Sequence, residues 1–386
     1  MRTLAALGEV HKTPLFFESC QSLDNAGVLL MLPFLLHNGL LSYKDFYVPF
    51  GKVYYDLDFI ILLLSFMFLC RIKNVSQLKG ISSGEFGKLL GVDRIPEARC
   101  FYKKISAITK QEQAMPWNRY LAKTWIRQDE TMIYYIDGHV QVYHGSKALL
   151  GKKHISRQRL CLPGVMQYWV NNMEGMPYLY VTGEVNEKLQ EMLESTIIPL
   201  LKDELSQKVD RKTLDADKDL PLFTIVFDRE GYSPVFFKKL WDTYRIAVIT
   251  YRKNVTELWD ECDFKTKSVE IDGDVVEMDL CEKEVQLNEV PLREIRKKSD
   301  NGHQTSVITT NKKLSVMLIA LYMFARWSQE NFFRYMRQEY DLDRLYQSIV
   351  VNVDSELEVV NPEHSKLTYV LKKTREKIKR REAILY

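Results

Sequence analysis

Apolar and polar positions change rhythm twice along this chain. From residue 22 to about 108 the apolar residues recur at helical spacing, with turn signals at Asn38-Gly39, Gly80, Gly91 and Pro96. The greasiest run, FIILLLSFMFLC from Phe59 to Cys70, reads as a buried helix, because it is too short to span a bilayer. Near Thr131 the texture becomes strand-like. TMIYYID, RLCLPGVMQYWVNN and MPYLYVTG predict three strands, with a hairpin turn around Asn172 to Gly175. Glu187 to Leu205 returns to helical spacing, and Pro199 is expected to kink or split that helix. LFTIVFD predicts a strand buried on both faces, Pro234 to Tyr244 a helix, and IAVITY another strand.

Residues 252–312 then alternate charge and apolar character: SVEIDGDVVEMDL, KEVQLNEV, PLREIRKK and QTSVITTN. Asp272-Gly273-Asp274 and Asn301-Gly302 are hairpin signals within this stretch. Helical spacing resumes from Leu314 to Met336, and LTYVLKKTREKIKRREAILY predicts a basic helix that ends without a stop signal, as a truncated chain would. Three strands, a helix, a strand, a helix and a strand reproduce the order of an RNase H-like mixed sheet. The expected fold is therefore α/β, with an RNase H-like core carrying an inserted β subdomain and preceded by an all-α N-terminal domain. The expected boundaries are 1–125 for the helical domain, 126–251 for the first part of the core, 252–312 for the insertion, 313–345 for a further core helix and 346–386 for the tail.

Composition alters this picture little. The chain has 386 residues, 46% apolar and 27% charged, and a net charge of +3. That balance permits a polyanionic partner without demanding one. Six scattered cysteines with no CxxC pair fit a reducing compartment, and no secretory or membrane-spanning segment is expected. Within the helical region, SSGEFGKLLGVDRIPEARCFYKKISAI reads as helix, turn, helix. Ser82 or Ser83 caps the first helix, Gly91 ends it and Pro96 sits in the first turn of the second. Arg94, Arg99, Lys103 and Lys104 decorate it as candidates for DNA contact. A solvated hairpin with ordinary surface charge is the plainer reading of that segment alone.

Three carboxylates carry the candidate chemistry. Asp137 ends the strand YYID, Asp228 ends LFTIVFD, and Glu330 lies in the helical FARWSQENFFRYM. Each aspartate read singly is a turn residue, and Glu330 read singly is part of a surface ion-pair ladder. Together they change meaning. Two acids at the ends of neighbouring buried strands meet at one point, and burial there is costly unless a cation compensates. Arg326 stands one turn before Glu330 and Arg337 two turns after, on or near the same face. His139 and His144 are plainer as structural histidines than as proton carriers.

YIDGH, FDREGYS and RWSQENFFRYM resemble the DDE transposases of bacterial insertion sequences, in the subgroup with a Tyr-x2-Arg-x3-Glu-x6-Lys signature. Arg326 and Glu330 match that signature, Arg337 replaces its lysine, and Met323 holds the tyrosine position with Tyr322 one residue earlier. The resemblance implies that Asp137, Asp228 and Glu330 hold two Mg²⁺ or Mn²⁺ ions for DNA cleavage and strand transfer, while Arg326 and Arg337 bind phosphate. It implies double-stranded DNA as partner, both terminal inverted repeats and target, a homodimer on paired ends, no membrane, and a bacterial cytoplasmic, nucleoid-associated location. An inactive DNA-binding relic and a metal-dependent nuclease on the same fold are the alternatives.

Overall fold

The protein is described here by a computed structural model covering residues 23–145, 149–155, 159–205, 209, 211–271, 273–343 and 362–385. Expectations for residues 1–22 and 346–361, and for Asp272 of the hairpin signal, fall outside the described residues. The chain forms two compact units, Met1–Gln347 and Ser348–Tyr386. Among the described residues, no helix is long and apolar enough to cross a membrane.

Helices alone occupy the described residues ahead of the first strand. The run expected to be a buried helix is α1, Leu57–Leu69, capped by the Asp56 carboxylate accepting from the Phe59 N–H at 2.8 Å. It buries Ile60, Leu63 and Phe66 completely. α2 (Ser83–Leu89) is capped by Ser82, and Gly91 follows in the left-handed region at φ 71°, as the sequence predicts. α3 (Ala98–Thr109) takes Glu97 as its N-cap, so Pro96 lies just outside the helix rather than in its first turn. α4 (Ala114–Gln128) leads into the sheet.

Among the described residues, ten strands form one mixed sheet: β1 Ile133–Val142, β2 Lys152–Ile155, β3 Leu160–Asn171, β4 Pro177–Glu184, β5 Phe223–Val226, β6 Ile246–Tyr251, β7 Lys265–Ile271, β8 Asp274–Leu287, β9 Val290–Lys298 and β10 Gln304–Thr309. The order is β2-β3-β1-β5-β6-β10-β9-β8-β7, with β4 also on β3. β1 is antiparallel to β3 and parallel to β5, and β5 is parallel to β6. α5 (Ile198–Leu205) and α6 (Pro234–Tyr244) lie between these strands in sequence. Pro199 has no N–H to give, and a π turn at Leu193–Ile197 immediately precedes α5, so the irregularity falls where the proline demands it.

The strands expected as an inserted subdomain do not stand apart as a separate layer. β10 pairs antiparallel with β6, and β9, β8 and β7 extend the same sheet outward. Their alternating charges are not all on the surface. Glu294 and Arg296, two apart on β9 and so on one face, are both fully buried and paired at 2.7 Å. Arg252 adds a second cation to Glu294, and the Ser306 hydroxyl donates to it at 2.7 Å.

Alternation along β1 divides two cores. Tyr134 and Ile136 join Ile225, Phe227 and Phe237 on one face of the sheet. Ile133 and Tyr135 join Val226 and Ile249 on the other, beneath α7 (Val316–Ala325). The helix expected as one run from Leu314 to Met336 is two, α7 and α8 (Trp327–Tyr340), meeting at Arg326. α9, Pro362–Leu385, is the basic helix predicted for the tail and belongs to the second unit.

The β3–β4 turn holds the start of α8. Gly175 has φ 84°, and a Cβ there would come within 2.9 Å of the Ser328 carbonyl oxygen. Gly302, in the β9–β10 turn, has φ 79° but open space around it. Gly175→Ala is expected to cost more stability than Gly302→Ala, which pays only the left-handed penalty of about 1–2 kcal/mol. Thermal unfolding of the two variants measures the difference, and equal losses would mean that the turn does not press on α8.

Candidate active site

The site begins with strand register. β1 and β5 pair in parallel as Ile133 with Thr224, Tyr134 with Ile225 and Tyr135 with Val226. Continuing that register brings Asp137 level with Asp228. Both have the parity of Tyr135 and Val226, so both belong to the face covered by α7 and α8. β5 ends at Val226, and the chain turns at Asp228, whose Oδ1 accepts from the Arg229 N–H at 2.6 Å. Asp228 is therefore both turn former and site candidate. Its second oxygen, Oδ2, remains for other partners.

α8 brings the third acid to the same face. Gln329, completely buried, donates from its amide to Asn171 Oδ1 at 2.8 Å, the Tyr135 carbonyl at 3.3 Å and the Trp169 carbonyl at 3.4 Å. Tyr135 in turn donates its hydroxyl to the Tyr322 carbonyl at 2.8 Å, where α7 passes over β1. These bonds fix the rotation of α8 about its axis. Gln329 and Phe333 point to the sheet, and Glu330 lies at the edge of the same face.

Arg326 stands at the centre. It is 9% exposed, and its Nη2 pairs with Glu330 and lies 3.7 Å from Asp228 Oδ2. It also acts on Asp137, where it opposes the effect of burial. Burial is the largest influence there and holds the Asp137 carboxyl up at about 6. Arg326 and the Gly138 N–H, which donates to Oδ1 at 2.9 Å, pull it down, while Glu230 and Asp228 push it further up. Arg326 thus reaches Asp228 and Glu330 directly and acts on Asp137 through space. Arg337 lies two turns further along α8, in its last turn.

Glu230 is an acid the sequence reading passed over. Its Oε2 would come within 3.3 Å of a Cβ on Gly138, and its Oε1 is 3.9 Å from the Lys153 ammonium. The signal was present in Asp228-Arg229-Glu230: a tight turn after Asp228 returns the residue two places on toward β1. His139, on the same face as Asp137, is buried and stacked on Phe333 with centroids 5.4 Å apart, and its Nε2 is 3.1 Å from Asp343. A packed imidazole of this kind matches the structural reading.

An oxygen-only donor set of Asp137, Asp228 and Glu330 suits hard divalent cations such as Mg²⁺. Among the described residues no three metal-ligating side chains are close enough to hold one ion. The arginine occupies the space where their charges converge.

A second group of predicted residues gathers elsewhere. Arg94, Arg99 and Lys103 line a groove of about 1150 Å³ with Lys79, Ser76, Ser83 and Tyr102. Lys79 was not singled out by the sequence. Lys104 is not brought to that groove; its ammonium lies 4.5 Å from the Phe50 ring centroid, and burial lowers its pKa.

The profile of the family Transposase_29, described as transposase protein, matches residues 1–386. No curated protein sequence matches the chain. Among solved structures, a piggyBac transposase synaptic complex with hairpin DNA is similar at 10% identity and TM-score 0.38, over 88% of this chain and 65% of that one. Marinitoga piezophila Argonaute with a 5′-OH guide RNA is similar at 12% identity and TM-score 0.22, over 51% of this chain and 26% of that one. The chain therefore spans less than two thirds of either structure's length, and both likenesses are too distant to carry an argument.

Gln329→Met keeps the size of the side chain but leaves its buried acceptors unpaired. A loss of about 1–3 kcal/mol is expected in chemical denaturation. Unchanged stability would show that packing alone sets the rotation of α8.

Proposed function

The chain belongs to the transposase protein family whose profile spans it, and on that premise we propose that it is a DDE-type DNA transposase on an RNase H-like core. The observation that carries the reading is Arg326 reaching Asp228, just past the end of β5, and Glu330 on α8, beside the parallel neighbour β1 that carries Asp137. The strand order β4-β3-β1-β5-β6, antiparallel then parallel, supports an RNase H-like assignment of the core.

Asp137, Asp228 and Glu330 would hold two Mg²⁺ or Mn²⁺ ions. Such ions supply Lewis acidity to the attacking and leaving oxygens of a phosphodiester. The protein's own residues do the rest. Asp228 lies in a half-exposed turn, open to solvent and substrate. Arg326, together with Arg337, orients backbone phosphates, a contact that positions DNA without reading its sequence. The nucleophile is water in the first step and a DNA 3′-hydroxyl in the second, and neither step needs a covalent bond to the protein. Terminal-repeat recognition is assigned to the groove of Lys79, Arg94, Arg99 and Lys103, where cations outnumber the one acid, Glu97. Double-stranded DNA and a homodimer on paired ends complete the proposal, as does a kinship with bacterial insertion sequences drawn from the Arg326–Glu330–Arg337 spacing.

Asp228→Asn is expected to lower strand transfer with Mg²⁺ by at least about a thousandfold, the equivalent of about 4 kcal/mol, while duplex binding stays within a few fold. Full activity in that variant would remove Asp228 from the site. Wild-type protein that cuts DNA lacking terminal repeats and never joins it would favour the nuclease instead. Replacing Arg99 and Lys103 together by Gln should flatten the dependence of log Kd on log salt by about 2, as expected for two lost phosphate contacts. An unchanged slope would move DNA recognition away from this groove.

A further inference from the structure

We infer that Arg326 is the resident counter-ion of the acidic cluster, that it competes with divalent metal for Asp228 and Glu330, and that a DNA phosphate draws it away. The inference rests on the metal-site reading above and adds to it an order of events: phosphate first loosens the guanidinium, and the carboxylates then become free to take metal.

Two observations converge on this residue. The guanidinium is placed where a cation would sit, with Nη2 on Glu330 and 3.7 Å from Asp228. The pairing is also incomplete. Arg326 is 91% buried, yet its Nε has no hydrogen-bond partner. A buried guanidinium with an unused donor is held by charge more than by geometry, so an oxyanion that satisfied that donor would compete well for it.

The location of the residue allows movement. Arg326 is the junction of α7 and α8, with α7 ending at Ala325 and α8 starting at Trp327. The segments on either side are anchored independently, by Met323 in the core and by Gln329 on β1 and β3. The side chain can therefore swing toward the half-exposed mouth formed by Asp228 and Glu330 without dislodging either helix. Competition follows from Coulomb's law. A unit positive charge within a few ångströms of a divalent ion opposes its binding, and removing that charge must tighten it.

The test is Mn²⁺ binding to the DNA-free full-length chain, followed by calorimetry or by the electron paramagnetic resonance of free Mn²⁺. Arg326→Gln is expected to bind Mn²⁺ on the order of tenfold tighter than wild type, and Arg326→Lys, which keeps the charge, to stay close to wild type. Arg326→Gln binding no tighter than wild type overturns the inference. Asp228→Asn distinguishes the two levels of the argument. If it weakens Mn²⁺ binding while Arg326→Gln leaves it unchanged, the metal site stands and the competition falls. If it has no effect in either background, the metal site falls and the inference with it. Reciprocity gives a second readout: Mn²⁺ should tighten binding of a fluorescent duplex, read by anisotropy, more in wild type than in Arg326→Gln. An equal effect in both removes phosphate as the agent that draws Arg326 away.

Discussion

The register between β1 and β5 is the constraint on which the rest of the site depends. Side chains alternate across a sheet, so a slip of β5 by one residue would send Asp228 to the opposite face, against Tyr134, Ile136 and Phe237. Burial prevents that slip. Val226 packs with Tyr135 and Ile133 beneath α7, while Tyr134 and Ile136 pack on the other side. Both faces are apolar, so a one-residue slip puts a carboxylate into a core. The hydrophobic pattern thus specifies where the acids go as strictly as it specifies the strand.

Glu330 reaches the site by a different route, from more than ninety residues beyond Asp228 in sequence and after five further strands in the same sheet. The docking of α8 carries that long connection to a definite end. Gln329 ties the helix to β1 and β3 through main-chain acceptors, which no rotamer change in the sheet can remove. Its neighbour Glu330 is left at the rim. A residue adjacent to a buried anchor is placed well and still open to solvent, which suits a group that must exchange partners.

Much of this was legible in the sequence because it was written in period and punctuation. The strands ending at Asp137 and Asp228, the Ser82 cap, the turns at Gly91 and Gly302 and the helix Pro234–Tyr244 all follow from local rules. What the sequence hid was non-local. Glu294 and Arg296 read as surface charge on an alternating strand, and only the sheet's continuation from β6 buries them against Arg252. Lys103 and Lys104 are adjacent, so they face different ways on α3, and a count of basic residues cannot separate a groove lysine from one lying on Phe50. Glu230 was missed because its proximity to Asp137 depends on a tight turn joined to a strand pairing ninety residues away.

The electrostatics of the cluster connect its parts. Asp137 is the innermost acid and the one pushed up by burial; Asp228 and Glu330 are half-exposed at the mouth; Glu230 adds to the negative charge felt at Asp137. A phosphodiester approaching such a mouth meets mostly carboxylates. It can settle there only if positive charge is added or an existing cation turns to meet it, and Arg326 is within reach of both rim acids. The compensation for burying the acids is thus supplied from within the chain.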